Sequence, residues 1–202
     1  MSQSHRVVIT GTNKVGKSDV AEEIHATLTG PGNFDFWQTK PGESPHDLSF
    51  GRSPMKFYPQ PGGTMFRLFT IPPDDPTMKP ADVTAMQDWF FKEVGDPAAR
   101  VDTSRHPMMH TTATIDYIVL LSGEISLMLD EGEPIKLKPF DAVVQRATNH
   151  SWVNTGREPA LLMCVMVGAK LHGADILGRV QNERQRHARR RGAVSVGPSA
   201  AV

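Results

Sequence analysis

From His106 to Val167 the chain repeats one pattern, a short run of apolar and β-branched residues followed by a turn. The runs cover residues 117–124, 125–130, 134–137, 142–145, 150–154 and 160–167. They are divided by Ser122-Gly123, Asp130-Glu131-Gly132, Pro139-Phe140-Asp141 and Thr155-Gly156. Gaps this short hold turns and no crossover helices, so the strands fold back on one another as an antiparallel barrel or jelly roll. A further strand at 64–71 is stopped by Pro72-Pro73. After it, Val83, Met86, Phe90 and Val94 share one face of a helix over 83–94 that Gly95 is placed to end. Trp89 and Phe91 widen its apolar arc enough to cover the mouth of a pocket.

The 202 residues suit one domain with a modest core rather than two large ones. No apolar run approaches the roughly 20 residues of a membrane span, and the few residues between Arg6 and Gly11 are too short for a signal-peptide core. A cytoplasmic protein with no membrane partner is therefore expected. The single cysteine, Cys164, lies in an apolar run and reads as a small buried hydrophobe, which excludes a disulfide framework or a cysteine-rich zinc site.

Lysine and arginine balance aspartate and glutamate at 22 each, but the charge is segregated. From Arg179 onward six arginines face one acid, a net +5 that leaves −5 on residues 1–178. The run from Arg184 to Arg191 has no interleaved aromatics and precedes a low-complexity end, so it reads as a solvated tail and no nucleic-acid partner is expected.

Residues Gly11 to Ser18, GTNKVGKS, match the phosphate-binding pattern G-x-x-x-x-G-K-[ST] at every defined position, after a strand at 6–10 and before a possible helix at 19–28. Such a loop also needs a parallel sheet with crossover helices and a second strand ending in an aspartate. The remainder of the chain supplies neither, and 29–63 is an irregular tract rich in proline and glycine. The match is read as a strand with a glycine turn, with nucleotide binding through Lys17 kept as a remote alternative.

Two spaced signatures inside the strand array resemble those of the cupin family. In G-x5-H-x-H-x3,4-E-x6-G, His110 takes the first histidine, Thr112 the second, Asp116 the acid and Gly123 the closing glycine. In G-x5-P-x-G-x2-H-x3-N, His150 and Asn154 keep the final spacing. Gln145 and Ala147 stand where proline and glycine are usual, and Phe140 where a glycine commonly precedes Asp141. The resemblance implies an all-β fold: a single jelly-roll cupin barrel over 64–169 that includes the helix, an N-terminal arm over 1–63, and a C-terminal extension over 170–202.

It also implies a site. Cupins hold iron, manganese, zinc or nickel on inward-facing histidines and a carboxylate, and the residues left for a divalent transition metal here are His110, Asp116 and His150. On an extended strand His106 lies about 13 Å from His110, so it is a reserve ligand only. Arg67, Gln145, Asn149 and Trp152 are the substrate-binding candidates, and Tyr117 and Arg146 the candidate catalytic side chains. Alternation lets only one of Gln145 and Arg146 face inward. The implied function is metal-dependent chemistry on a small, partly hydrophobic metabolite: decarboxylation, oxygen-dependent cleavage, isomerisation or elimination. A non-catalytic, metal-free binding cupin is the alternative, and a homodimer is expected by the same resemblance.

Overall fold

The computed structural model describes residues 3–28, 32–44, 57–93 and 96–170. The chain divides into a compact unit ending at Ala169 and a segment from Lys170 onward. The arginine run of the tail lies outside the described residues.

Among its described residues the first unit has ten strands, one α-helix and a single 3-10 turn at Pro97–Ala99: β1 (Gln3–Thr12), β2 (Ser18–Leu28), β3 (Gly32–Thr39), β4 (Thr64–Ile71), α1 (Pro80–Glu93), β5 (Thr114–Ser122), β6 (Ile125–Leu129), β7 (Ile135–Leu137), β8 (Ala142–Arg146), β9 (His150–Val153) and β10 (Ala160–Gly168). They form a β1-β2 hairpin, a five-stranded sheet ordered β3-β4-β10-β5-β8 and a three-stranded sheet ordered β7-β6-β9, with antiparallel pairing throughout. This is the all-β, jelly-roll type of fold that the strand-and-turn spacing predicts.

The two larger sheets share one core. Met65, Ile118, Leu120, Leu162, Cys164 and Met166 from the five-stranded sheet meet Ile125 and Leu137 from the three-stranded one, with Trp152 packed against them. The period of two along β5 explains the arrangement. Thr114, Asp116, Ile118 and Leu120 are buried, whereas Ile115 and Tyr117 are exposed on the other face. Full burial of Met65, Leu120 and Leu162 contributes about 1.5–3 kcal/mol each. On the opposite face of the same sheet, Phe36, Leu68 and Leu161 form a second cluster, against which Val7 of β1 packs.

At the β5–β6 turn Gly123 has φ +85°, and a Cβ there would stand 2.8 Å from the Cα of Ala160. The φ favours glycine, and the contact with backbone leaves no room for a side chain.

Two sequence expectations change. Residues 19–28 form β2 and no helix, so GTNKVGKS is the end of a hairpin. Asn13 N–H donates to the Lys17 carbonyl (2.8 Å), Gly16 N–H to the Asn13 carbonyl (3.0 Å), and the Asn13 Oδ1 accepts from Val15 and Lys17 N–H (3.1 and 3.0 Å). The amides that would cradle a phosphate are turned onto the loop itself, and no helix begins there. The second change concerns the tract expected to be irregular: β3 within it pairs with β4 through a bulge between Asp35 and Trp37, so the sheet begins well before residue 64. Among the described residues no helix is long and apolar enough to cross a membrane.

Candidate functional site

Strand β9 and the segment leading into β5 bring two histidines together. His110 N–H donates to the His150 carbonyl (2.9 Å) and His150 N–H to the His110 carbonyl (3.0 Å), and the ring centroids are 4.4 Å apart. Each ring is also tied to its own turn. The Nδ1 of His110 lies 2.8 Å from the Met108 carbonyl and that of His150 lies 3.0 Å from the Thr148 carbonyl. A carbonyl only accepts, so each Nδ1 carries the proton and each Nε2 presents a lone pair. The His150 ring is also influenced by the His110 backbone. Burial lowers both imidazoles, and His150, with His110 beside it, is pushed down to about 3. Both rings are neutral bases at pH 7.

Aromatic side chains wall this pair. Phe57 and Phe91 stand 5.3 and 5.4 Å from the His110 ring, and Trp152 meets His150 edge-on at 6.1 Å. Phe91 comes from α1, the helix that the sequence pattern places over the mouth of a pocket. The Arg100 guanidinium lies over its ring at 5.3 Å and is held by Asp88 and by the Pro107 carbonyl (3.0 Å).

A polar group occupies inward positions of the five-stranded sheet. Arg67 donates through Nε to Asp35 (2.9 Å) and through a terminal nitrogen to the Phe57 carbonyl (3.1 Å), with both ends of the ion pair nearly buried. Burial raises Asp116 to about 6, against the opposing pull of Thr114, Arg67 and Thr112. Its Oδ1 is buried with no hydrogen-bond partner among the described residues. The Thr112 and Thr114 hydroxyls bond each other at 2.7 Å. Burial, with Asp116 nearby, pushes the Cys164 thiol well above its ordinary value, which leaves it an inert core side chain.

The other candidates separate by strand parity. Gln145 faces inward, and its amide donates to the Thr148 carbonyl (2.9 Å) and to the Thr148 hydroxyl, so it braces the turn that holds His150. Arg146 and Tyr117 lie on the exposed outer face, where Tyr117 pairs with Val144 and Arg146 with Ile115. The structure therefore does not bring these two candidate catalytic residues to the histidines. Asn149 ties surface loops, donating to the Asp102 carbonyl (2.8 Å) and to Asp130 (2.7 Å). His106 is turned to Ser151 (2.9 Å).

Sequence reasoning missed Phe57, which sits in a tract with no periodic signal. It treated Phe91 only as part of an apolar arc, and Ser151 carried no motif.

The donor set bears on the metal expectation. Histidines with Nδ1 anchored to a carbonyl and Nε2 as the basic nitrogen are oriented as metal ligands are. Among the described residues, however, no group of three His, Cys, Asp or Glu side chains is placed to hold an ion. Two imidazoles fit; a third donor to close the set is not assembled beside them.

Residues 99–166 match the family model for the cupin domain. Phomopsin biosynthesis cluster protein C' of Diaporthe leptostromiformis is 57% identical over 47 residues, which are 23% of this chain and 25% of that protein. The cupin-domain-containing oxidoreductase srdD of Neurospora crassa is 40% identical over 65 residues, 31% of this chain and 33% of that protein. The matched segments thus span only about a quarter to a third of these curated relatives. Among solved structures, a cupin family protein of Methanocaldococcus jannaschii is 12% identical with a TM-score of 0.34, covering 52% of this chain and 70% of its own. The DMSP lyase DddQ of Ruegeria pomeroyi is 13% identical with a TM-score of 0.33, covering 52% of this chain and 38% of its own.

Proposed function

The chain carries a cupin domain, and on that premise we propose that its barrel binds and transforms a small, partly hydrophobic organic molecule at the His110–His150 pair. The observation that carries this reading is the tautomer of the two rings. Both are neutral, and both hold the Nδ1 proton against a backbone carbonyl, so that Nε2 is the basic nitrogen of each ring. A neutral imidazole with a basic Nε2 accepts a proton from a bound hydroxyl or an acidic carbon. Phe57, Phe91 and Trp152 supply an apolar, aromatic surround for the carbon skeleton.

In this reading His110 is the base and His150, lowered to about 3, the hydrogen-bond acceptor, Gln145 braces His150 through Thr148, and Asp116, raised to about 6, is an interior carboxyl that exchanges its proton near neutral pH. Proton relocation of this kind covers isomerisation, elimination and decarboxylation. Similarity to a biosynthesis cluster protein and to a cupin-domain-containing oxidoreductase supports a role in making small molecules.

A second reading retains the divalent transition metal. It is favoured by the paired Nε2 atoms of His110 and His150, to which such an ion would add Lewis acidity or redox chemistry. Because the described side chains assemble two donors and no third, no step of the first reading passes through an ion. Elemental analysis of the purified protein beside His110→Ala and His150→Ala decides between the two. Stoichiometric iron, manganese, zinc or nickel that both variants lose supports the second reading.

The site itself is tested by incubating the protein with a small-molecule extract of its source and following consumed and formed compounds by mass spectrometry. Compounds turned over by the native chain and spared by His150→Ala support the proposal. Identical profiles for the native chain and both variants overturn it.

A further inference from the structure

The face of β9 turned away from His150 carries a second cluster that the site does not use. Neighbouring residues of a strand point to opposite faces, so Ser151 is directed away from His150 and Trp152. It is fully buried, and its hydroxyl lies 2.9 Å from the Nδ1 of His106. The same Nδ1 accepts the backbone N–H of Met108 at 3.2 Å. A backbone N–H can only donate, so this nitrogen carries no proton, the serine hydroxyl donates to it as well, and the ring proton sits on Nε2. His106 is therefore the opposite tautomer to His110 and His150.

These bonds run on to the site. Met109 N–H donates to the His106 carbonyl (3.0 Å), and the Met108 carbonyl receives the Nδ1 proton of His110 (2.8 Å). One short turn is thus closed at one end by the His106 ring and holds the His110 ring at the other.

We propose that His106 is a positioning residue for His110: its unprotonated Nδ1 latches the 106–110 turn to Ser151, and protonation of that nitrogen releases the turn and the orientation of His110. The relevance to chemistry rests on the reading of the histidine pair given above. The release follows from geometry, because a protonated Nδ1 would face the Met108 N–H donor against donor, a clash the backbone cannot relieve by rotating a hydrogen.

The surrounding charges set the direction. Among the described residues the charged group acting on the His106 ring is Asp74, in the segment after β4, whose own N–H is tied to the Asn154 carbonyl (2.8 Å). Arg105, next in the chain, is turned away to the Leu129 and Gly132 carbonyls, and Asp102 to the Ser104 N–H. Burial lowers His106 and Asp74 opposes it, with burial the larger effect. The latch is closed at neutral pH and opens as the pH falls below the ordinary imidazole value of about 6.5.

The test is a titration of the ¹⁵N-labelled protein from pH 8 to 4, following the imidazole nitrogens by long-range ¹H–¹⁵N correlation. At the start His106 should show the Nε2–H form, and His110 and His150 the Nδ1–H form. On acidification the His110 signals should shift with the midpoint of His106. Ser151→Ala removes one of the two donors to Nδ1 and should raise that shared midpoint by roughly half a unit to one unit, the equivalent of one hydrogen bond. His106→Asn offers Oδ1 in place of Nδ1 and cannot be protonated, so the acid-induced change at His110 should vanish.

A His110 transition independent of His106, or a midpoint that Ser151→Ala leaves in place, overturns the latch. The serine variant decides the matter by itself should His106→Asn fail to fold. No substrate enters these measurements, so a failed latch and a failed site are told apart.

Discussion

His110 and His150 are joined by both of their backbone groups, N–H to carbonyl in each direction, while their rings sit 4.4 Å apart with the protons turned outward to Met108 and Thr148. The pairing fixes the rings as neutral bases. Protonating either would place a charge in a buried site beside the other ring.

His150, lowered to about 3, should therefore show no titration between pH 8 and 4. Both histidines have folded-state values below the unfolded one. The stability they contribute is full above about pH 6.5 and is lost as pH falls toward the folded values. Urea unfolding should show that loss beginning below about pH 6.5, at up to about 1.4 kcal/mol per pH unit for each group. His150→Gln should make the acid limb shallower, and an unchanged slope would contradict the assignment.

Asp116 acts in the opposite sense. Its carboxyl is raised to about 6, so the folded state holds its proton more tightly than the unfolded chain does. Its unfavourable effect is absent below the ordinary carboxylate value near 4, grows as pH rises, and is complete above about 6. Asp116→Asn should stabilise the protein by about 3 kcal/mol at pH 7.5 and by little at pH 4. Denaturant midpoints at the two pH values check the difference.

The Arg67–Asp35 pair is buried at both ends. Arg67→Met alone leaves the Asp35 carboxylate without its cation and should cost about 3–5 kcal/mol, whereas Arg67→Met with Asp35→Leu should recover most of that loss. A double-mutant cycle of unfolding energies measures it; additive losses would contradict a buried pair.

Phe140 and Ala147 are the non-glycine residues with positive φ among those described, at 74° and 48°. Phe140 is 80% exposed, so glycine there loses little packing. Relief of the left-handed strain exceeds the added unfolded-state entropy of glycine, and Phe140→Gly should stabilise by about 0.5–1 kcal/mol. Thermal unfolding will show a raised Tm if this is correct.

Asn154, fully buried, donates to the carbonyls of Ile71 (2.9 Å) and Glu158 (3.0 Å) and accepts Gly156 N–H (2.9 Å). Asn154→Ala leaves buried backbone groups unpaired and should cost about 2–4 kcal/mol without changing the tautomers of His110 or His150. Imidazole spectra beside a denaturation curve separate the two effects.

Much of the barrel is local information. Strands at 64–71, 125–129 and 142–146 follow from alternation and turn residues. The same motif that offers a histidine at 150 offers Asn154, which the structure uses to clasp a loop. Phe140 and Ala147 show why the sequence pattern looked degraded. The fold still asks for the glycine backbone conformation at both positions, and other residues adopt it. The site was less legible. Parity could state that Gln145 and Arg146 face opposite ways but not which faces in, and it could not tell that Tyr117 points outward, because a period of two has no absolute sign until a core is chosen. The helix expected at 19–28 became a strand for a related reason: pairing with β1 outweighed a local preference that carried no tertiary support.

By itself, then, the sequence determined where the strands lie, which residues share a face, and that two histidines stand at positions a barrel can bring inward. Only the tertiary structure decided that His110 meets His150, that Phe57 and Phe91 wall them, and that Ser151 reaches His106 across 45 residues of chain. Strand periodicity is a property of neighbours. Which strands meet is set by burying one shared core at the least cost in unpaired polar groups, and that sum runs over the whole chain.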